Sequence, residues 1–138
     1  MQDLLTRLKV DFPAYRWKTG KKFSFRAPRT ITFVQPPENP PARVQNNYAL
    51  QLLHELGHAR LGHSAYATDP ERLKMERAAW EEARALCPNY GVIYDEDFVE
   101  DKLDSYRDWL HRESRCPKCG LTRYQTRNGE YHCPGCEY

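Results

Sequence analysis

The spacing of hydrophobic positions changes several times along the chain, and each change predicts a different element. Residues 3–10 put Leu4, Leu5 and Leu8 on one side of a short helix. The period then falls to two. Tyr15 and Trp17, Phe23 and Phe25, and Ile31 and Phe33 alternate with Arg, Lys, Ser and Thr, and turn signals at Thr19-Gly20-Lys21 and Ala27-Pro28-Arg29 separate the three runs. This pattern predicts a three-stranded antiparallel meander with one buried face. Gln35 to Pro41 carries four prolines in seven residues, so it crosses as an extended connection.

A helical period follows over residues 42–62. Leu53, Gly57 and Leu61 fall on one stripe, His54 and His58 lie on its flank, and Ala49, Leu52 and Leu56 cover the far side. Such a helix is buried nearly all round. Gly57 costs its interior about 1 kcal/mol relative to Ala, which implies that another element packs closely there. After a loop over 64–68, a second long helix starts with Thr68 or Asp69 as cap and Pro70 in its first turn. Leu73, Glu76, Ala79, Trp80 and Ala83 form its apolar stripe, and it is expected to stop near Leu86, because Cys87-Pro88-Asn89-Tyr90-Gly91 is rich in helix breakers. Cys87 reads as a buried thiol. A third long helix runs over 96–111, with Asp97 and Glu100 spaced as a capping box. Its wide face, with Phe98, Val99, Leu103, Tyr106 and Trp109, is expected to close the core over the helix 42–62.

His54-Glu55-Leu56-Gly57-His58 is the stretch with chemistry in it. Residues four apart on a helix lie one above the other, so the two imidazoles can grip one zinc ion. Glu55 then stands where it can take the proton of a metal-activated water, the general-base role in peptide hydrolysis. The plain alternative is a pair of core histidines that find polar partners. A catalytic zinc takes a third protein ligand. Glu76 is the candidate, because a carboxylate beside Trp80 on an apolar stripe is an anomaly that a metal would explain; the alternative is an inward ion pair with an Arg. His63 competes, but it follows His58 by five positions and misses the metzincin spacing. Tyr66 and Tyr106 are candidates for stabilising the oxyanion, although no spacing rule supports either.

The last 25 residues read as a separate module. Cys116-Pro117-Lys118-Cys119 and Cys133-Pro134-Gly135-Cys136 are two zinc knuckles around an Asn128-Gly129 hairpin turn, the pattern of a zinc ribbon. So short a piece cannot bury enough apolar area to fold alone, and a metal would supply the folding energy. The expected division is a domain at 1–112 and the ribbon at 113–138.

His54-Glu55-Leu56-Gly57-His58 followed by Glu76-Arg77-Ala78-Ala79-Trp80 resembles the compact zinc metallopeptidases of the ImmA/IrrE type over about residues 1 to 110. The resemblance implies a minimal zincin-like fold of class α+β, a small antiparallel sheet on three to four helices. It gives the ligand roles to His54, His58 and Glu76 in a gluzincin arrangement and the catalytic role to Glu55. It also implies that the strand at 30–34 binds substrate backbone by edge pairing, and that the substrate is a specific regulatory protein such as a helix-turn-helix repressor. The layout is similar to SprT-like proteins as well, which carry a zinc ribbon and act on DNA-bound proteins but take a third histidine as ligand. The implied complement is two zinc ions, one catalytic and one structural.

Composition narrows this only slightly. Twenty-one Lys and Arg against 19 Asp and Glu leave a net charge of +2, so the overall balance demands neither nucleic acid nor an anionic membrane. No apolar run approaches the roughly 20 residues of a membrane span, and the opening Met1-Gln2-Asp3-Leu4 is unlike a signal peptide. Five cysteines, four in Cys-x-x-Cys pairs, suit metal binding in a reducing compartment, so a cytoplasmic location is expected. The sequence therefore reads as a zinc-dependent endopeptidase with a C-terminal ribbon. Two other classes stay open: a non-catalytic zinc-binding protein, and a nucleic-acid-binding regulator acting through the ribbon, where Arg123 and Arg127 accompany Tyr124, Tyr131 and Tyr138.

Overall fold

The alternating runs form the strands expected of them, joined in a different order. The computed structural model describes residues 1–138. Its elements are α1 (Gln2–Asp11), β1 (Arg16–Thr19), β2 (Ser24–Arg26), β3 (Thr30–Phe33), α2 (Ala42–Arg60), α3 (Asp69–Tyr90), α4 (Glu96–Ser114), β4 (Tyr124–Gln125) and β5 (Tyr131–His132). This is an α+β chain of four helices, a three-stranded sheet and a small C-terminal hairpin.

The sheet is mixed, with order β1-β3-β2, and not the antiparallel meander that the sequence predicts. β2 and β3 form the expected antiparallel pair, but β1 runs parallel to β3 on its other side. Residues 20–23 therefore cross the C-terminal end of β3. Gly20 makes that crossing: its N–H donates to the Phe33 carbonyl at 2.9 Å, and a Cβ there would stand 2.5 Å from the Thr32 methyl group. Period-two patterning fixes which face each side chain takes, and says nothing of strand order. The faces are accordingly as expected: Trp17, Ile31 and Phe25 share one row across the sheet, and Ile31 and Phe33 are buried. With β3 in the centre, both its edges are paired. The expectation that 30–34 binds substrate by edge pairing is overturned, and the free edges belong to β1 and β2.

α2 is the axis of the core. Leu50, Leu52, Leu53 and Leu56 are wholly buried, between the sheet on one side and α3 on the other. The two helices meet at Gly57, where an added Cβ would lie 2.5 Å from the Ala79 carbonyl oxygen and 3.3 Å from its Cα. Backbone cannot yield as a side-chain tip can. Gly57→Ala is therefore expected to lower stability by about 1–3 kcal/mol despite alanine's better helix propensity, measured as a fall in the urea midpoint with unchanged slope.

Three helix termini differ from expectation. α3 runs past Leu86 through Pro88 to Tyr90 and ends on Gly91 at φ 65°, the left-handed cap that glycine favours. Contacts with α1 hold this last turn: the Tyr90 hydroxyl donates to Asp11 at 2.6 Å and the Arg7 guanidinium lies over the Tyr90 ring at 4.9 Å. Cys87 lies inside this turn, buried, and burial pushes its thiol up to about 11. At the start of α4 the cap is Asp95, which accepts from the Phe98 N–H at 3.2 Å and pairs with Arg43 of α2; the Asp97–Glu100 box is not used. α4 packs chiefly on α3, with Val99 and Leu103 buried. It continues to Ser114, so the expected boundary between residues 112 and 113 falls within its last turns.

The C-terminal hairpin pairs β4 with β5 around a turn with Gly129 at φ 84°. It seats on the N-terminus of α3. No side chain of α3's own cap residue, Thr68, satisfies the first turn; instead the Asp69 N–H donates to Gln125 Oε1 at 2.7 Å, and the Tyr131 hydroxyl donates to the Asp69 carboxylate.

Candidate metal centre

Helical spacing on α2 and the close crossing at Gly57 bring three side chains from two helices to one point. His54 Nε2 lies 2.9 Å from Glu76 Oε2, and His58 Nε2 lies 3.3 Å from Glu76 Oε1. Two donors about 2.0–2.1 Å from a tetrahedral zinc stand about 3.3 Å apart, close to these two separations, which without an ion are hydrogen-bond distances. His54, Glu55 and His58 also bring ligand-type atoms within 4.8 Å of one another. All four residues are buried. Glu76 faces the two imidazoles and no arginine, so it is not the inward Arg ion pair weighed as the alternative.

The electrostatics suit a cation. At Glu76 burial opposes the charged form, but hydrogen bonds from His54 and His58 outweigh it and hold the carboxyl far below its usual range. At His54 burial again opposes charge, while Glu55 and Glu76 outweigh it and raise the imidazole.

The outer nitrogens have partners too. An imidazole that ligates through Nε2 carries its proton on Nδ1 and needs an acceptor there. His54 Nδ1 lies 3.4 Å from Glu55 Oε1, which can accept that proton, and 3.1 Å from the Gln51 amide nitrogen, which can only donate. His58 Nδ1 meets His63 Nδ1 at 2.9 Å, so His63 orients a candidate ligand from behind. Trp80 stacks flat on His54, centroids 3.9 Å apart at 11°. Gln51 was not singled out from the sequence; its signal is its place one turn before His54 on the same helix.

Comparisons with protein-family models, with characterised proteins and with solved structures return no match. The arrangement opens on a cleft of about 880 Å³ between the sheet, α2, α3 and α4, lined by Glu55, His58, Phe23, Tyr66 and Tyr106 among others. Tyr106 is half-buried; burial and the neighbouring Glu76 carboxylate push its hydroxyl up to about 12. It stands at the site, whereas Tyr66 lies on the rim, 42% exposed. β2 lines the same cleft through Ser24 and Phe25.

The second candidate group is Cys116, Cys119, Cys133 and Cys136. Sγ atoms of Cys116 and Cys136 lie 3.5 Å apart, and those of Cys119 and Cys133 3.4 Å, too far for disulfides and near the roughly 3.8 Å edge of a tetrahedral Zn–S₄ site. Burial opposes thiolate formation at Cys116 and Cys133. Backbone N–H groups of Cys119 and Lys118, and of Gly135 and Cys136, outweigh it and lower both thiols, Cys116 to about 6. The cluster is compatible with a zinc ribbon. No helix is long and apolar enough to cross a membrane.

Proposed function

We propose that this chain is a zinc-dependent endopeptidase of the ImmA/IrrE type with a structural zinc in its C-terminal ribbon. The observation that carries this reading is the convergence of both imidazole Nε2 atoms on the Glu76 carboxylate at 2.9 and 3.3 Å, beside Glu55, at the floor of an open cleft. His54, His58 and Glu76 would hold the catalytic zinc, which when bound polarises a peptide carbonyl and makes water acidic enough to attack it. Glu55 takes the proton from that water and returns it to the leaving amine. Trp80 and His63 keep the two imidazoles in one orientation. Tyr106, whose hydroxyl neighbours Glu76, donates to the developing oxyanion. The unpaired edge of β2, whose Ser24 and Phe25 line the cleft, takes an extended substrate by strand addition. The protein substrate is a specific regulator, such as a helix-turn-helix repressor, rather than bulk protein.

Metal content tests this reading. Elemental analysis of protein resupplied with zinc is expected to give about two ions per chain, falling to one in Glu76→Ala and in His58→Ala. One ion in all three proteins would sink the proposal. Zinc must also displace the proton that Glu55 and Glu76 favour on His54. Uptake at this site is therefore expected to strengthen as pH rises through that raised pKa, above the 6.5 of an ordinary histidine.

A further inference from the structure

The cleft carries charge that the metal chemistry does not use. Its only carboxylates are Glu55 and Glu76, both at the metal centre, while Lys21, Lys22, Arg72 and Lys102 also line it and none of the four forms an ion pair. Arg72 is the unusual one. It is half-buried, and its guanidinium lies 4.8 Å from the Trp109 ring, 5.2 Å from Tyr106 and 5.7 Å from Tyr66. Aromatic rings engage the faces of a guanidinium and leave its in-plane N–H donors for an acceptor, and a carboxylate matches that fork in two parallel hydrogen bonds. The chain supplies no such acceptor. Arg72 also precedes Glu76 by one helical turn, about 6 Å along the axis, and an extended peptide advances about 3.3 Å per residue.

On the peptidase reading of this cleft, we infer that Arg72 is a specificity residue that binds a substrate carboxylate one or two residues from the scissile bond, so that the preferred substrate is an acidic peptide segment. The three rings hold the guanidinium in place at little entropic cost to binding. Lys21, Lys22 and Lys102 extend the positive field along the cleft and draw in an acidic segment. The carboxylate can come from an Asp or Glu side chain or from a peptide C-terminus, and both present the same planar pair of oxygens.

Peptide binding to the full-length Glu55→Gln chain, resupplied with zinc, tests this without requiring hydrolysis. The probes are acetylated, amidated Ala/Leu heptapeptides with one Glu at successive positions, each with its Gln counterpart, and one peptide with a free C-terminus. Binding is followed through the fluorescence of Trp80 and Trp109, which flank the site. Glu peptides are expected to bind about tenfold or more tighter than Gln peptides at one or two positions. Arg72→Gln should bring the ratio near one with metal content unchanged, and Arg72→Glu should favour Lys peptides. A preference for internal Glu assigns the carboxylate to a side chain, and a preference for the free terminus assigns it to the chain end. Equal binding of Glu and Gln peptides, no binding by any peptide, a ratio that survives Arg72→Gln, or displacement by a single-stranded oligonucleotide at lower concentration than by the acidic peptide would each overturn the inference. If acid selectivity is present in a chain whose wild type hydrolyses nothing, the peptidase reading has failed and the carboxylate site stands.

Discussion

Glu55→Gln is expected to lower peptide hydrolysis by about 10²–10⁴-fold, the usual worth of a general base, while metal content stays at the wild-type value. Glutamine keeps the volume of the side chain and a polar tip near His54 Nδ1, from which Glu55 Oε1 stands 3.4 Å, but it cannot accept a proton. The proposed ligand atoms of His54, His58 and Glu76 are untouched. The loss should appear in kcat with KM nearly unchanged, because Glu55 is assigned a proton transfer and not a grip on substrate. Glu76→Ala should behave differently, losing metal and activity together. The comparison is made on a mixture of quenched fluorogenic peptides, with zinc measured on the same samples. Hydrolysis in Glu55→Gln at the wild-type rate would remove the catalytic role.

What the sequence reveals follows from where the physics is local. The periods of three to four and of two are imposed by backbone geometry, so the helices and the inward faces of Trp17, Phe25, Ile31 and Phe33 can be read directly. Four-residue spacing likewise aligns His54 with His58. Strand order is a long-range choice, made here by the short crossing at Gly20, and no local period encodes it. The end of α3 is hidden from the sequence for a related reason: Pro88 is a local breaker, and the Tyr90–Asp11 contact that carries the helix past it joins residues far apart in sequence. Glu76 was visible as an anomaly because a buried carboxylate demands a partner. Gln51 and Arg72 were not, since a polar residue on a helix flank and an arginine near a helix start are ordinary until the cleft is formed around them.

The second large effect is expected at the other end of the chain. Cys133→Ser, or selective removal of the metal from the four-cysteine cluster, should unfold residues 114–138 while the helical core persists. Beyond Leu103 the only buried residues are Cys116 and Cys133, so this module has no apolar core of its own. A piece of about 25 residues is then expected to depend on a metal, and a structural zinc supplies on the order of 10 kcal/mol of folding free energy. The consequence reaches the candidate site. Gln125 and Tyr131 hold the first turn of α3 through Asp69, and that helix carries Arg72 and Glu76. Losing this external cap costs the turn about 0.5–2 kcal/mol, enough to fray it without melting the helix. Hydrogen exchange should therefore show protection lost throughout 114–138, reduced over 69–72, and unchanged in α2, where Leu50, Leu52, Leu53 and Leu56 are wholly buried. Unchanged protection over 114–138 would mean that the module folds without its metal. Loss of protection in 114–138 with none at 69–72 would mean that the ribbon rests against the α3 terminus without supporting it.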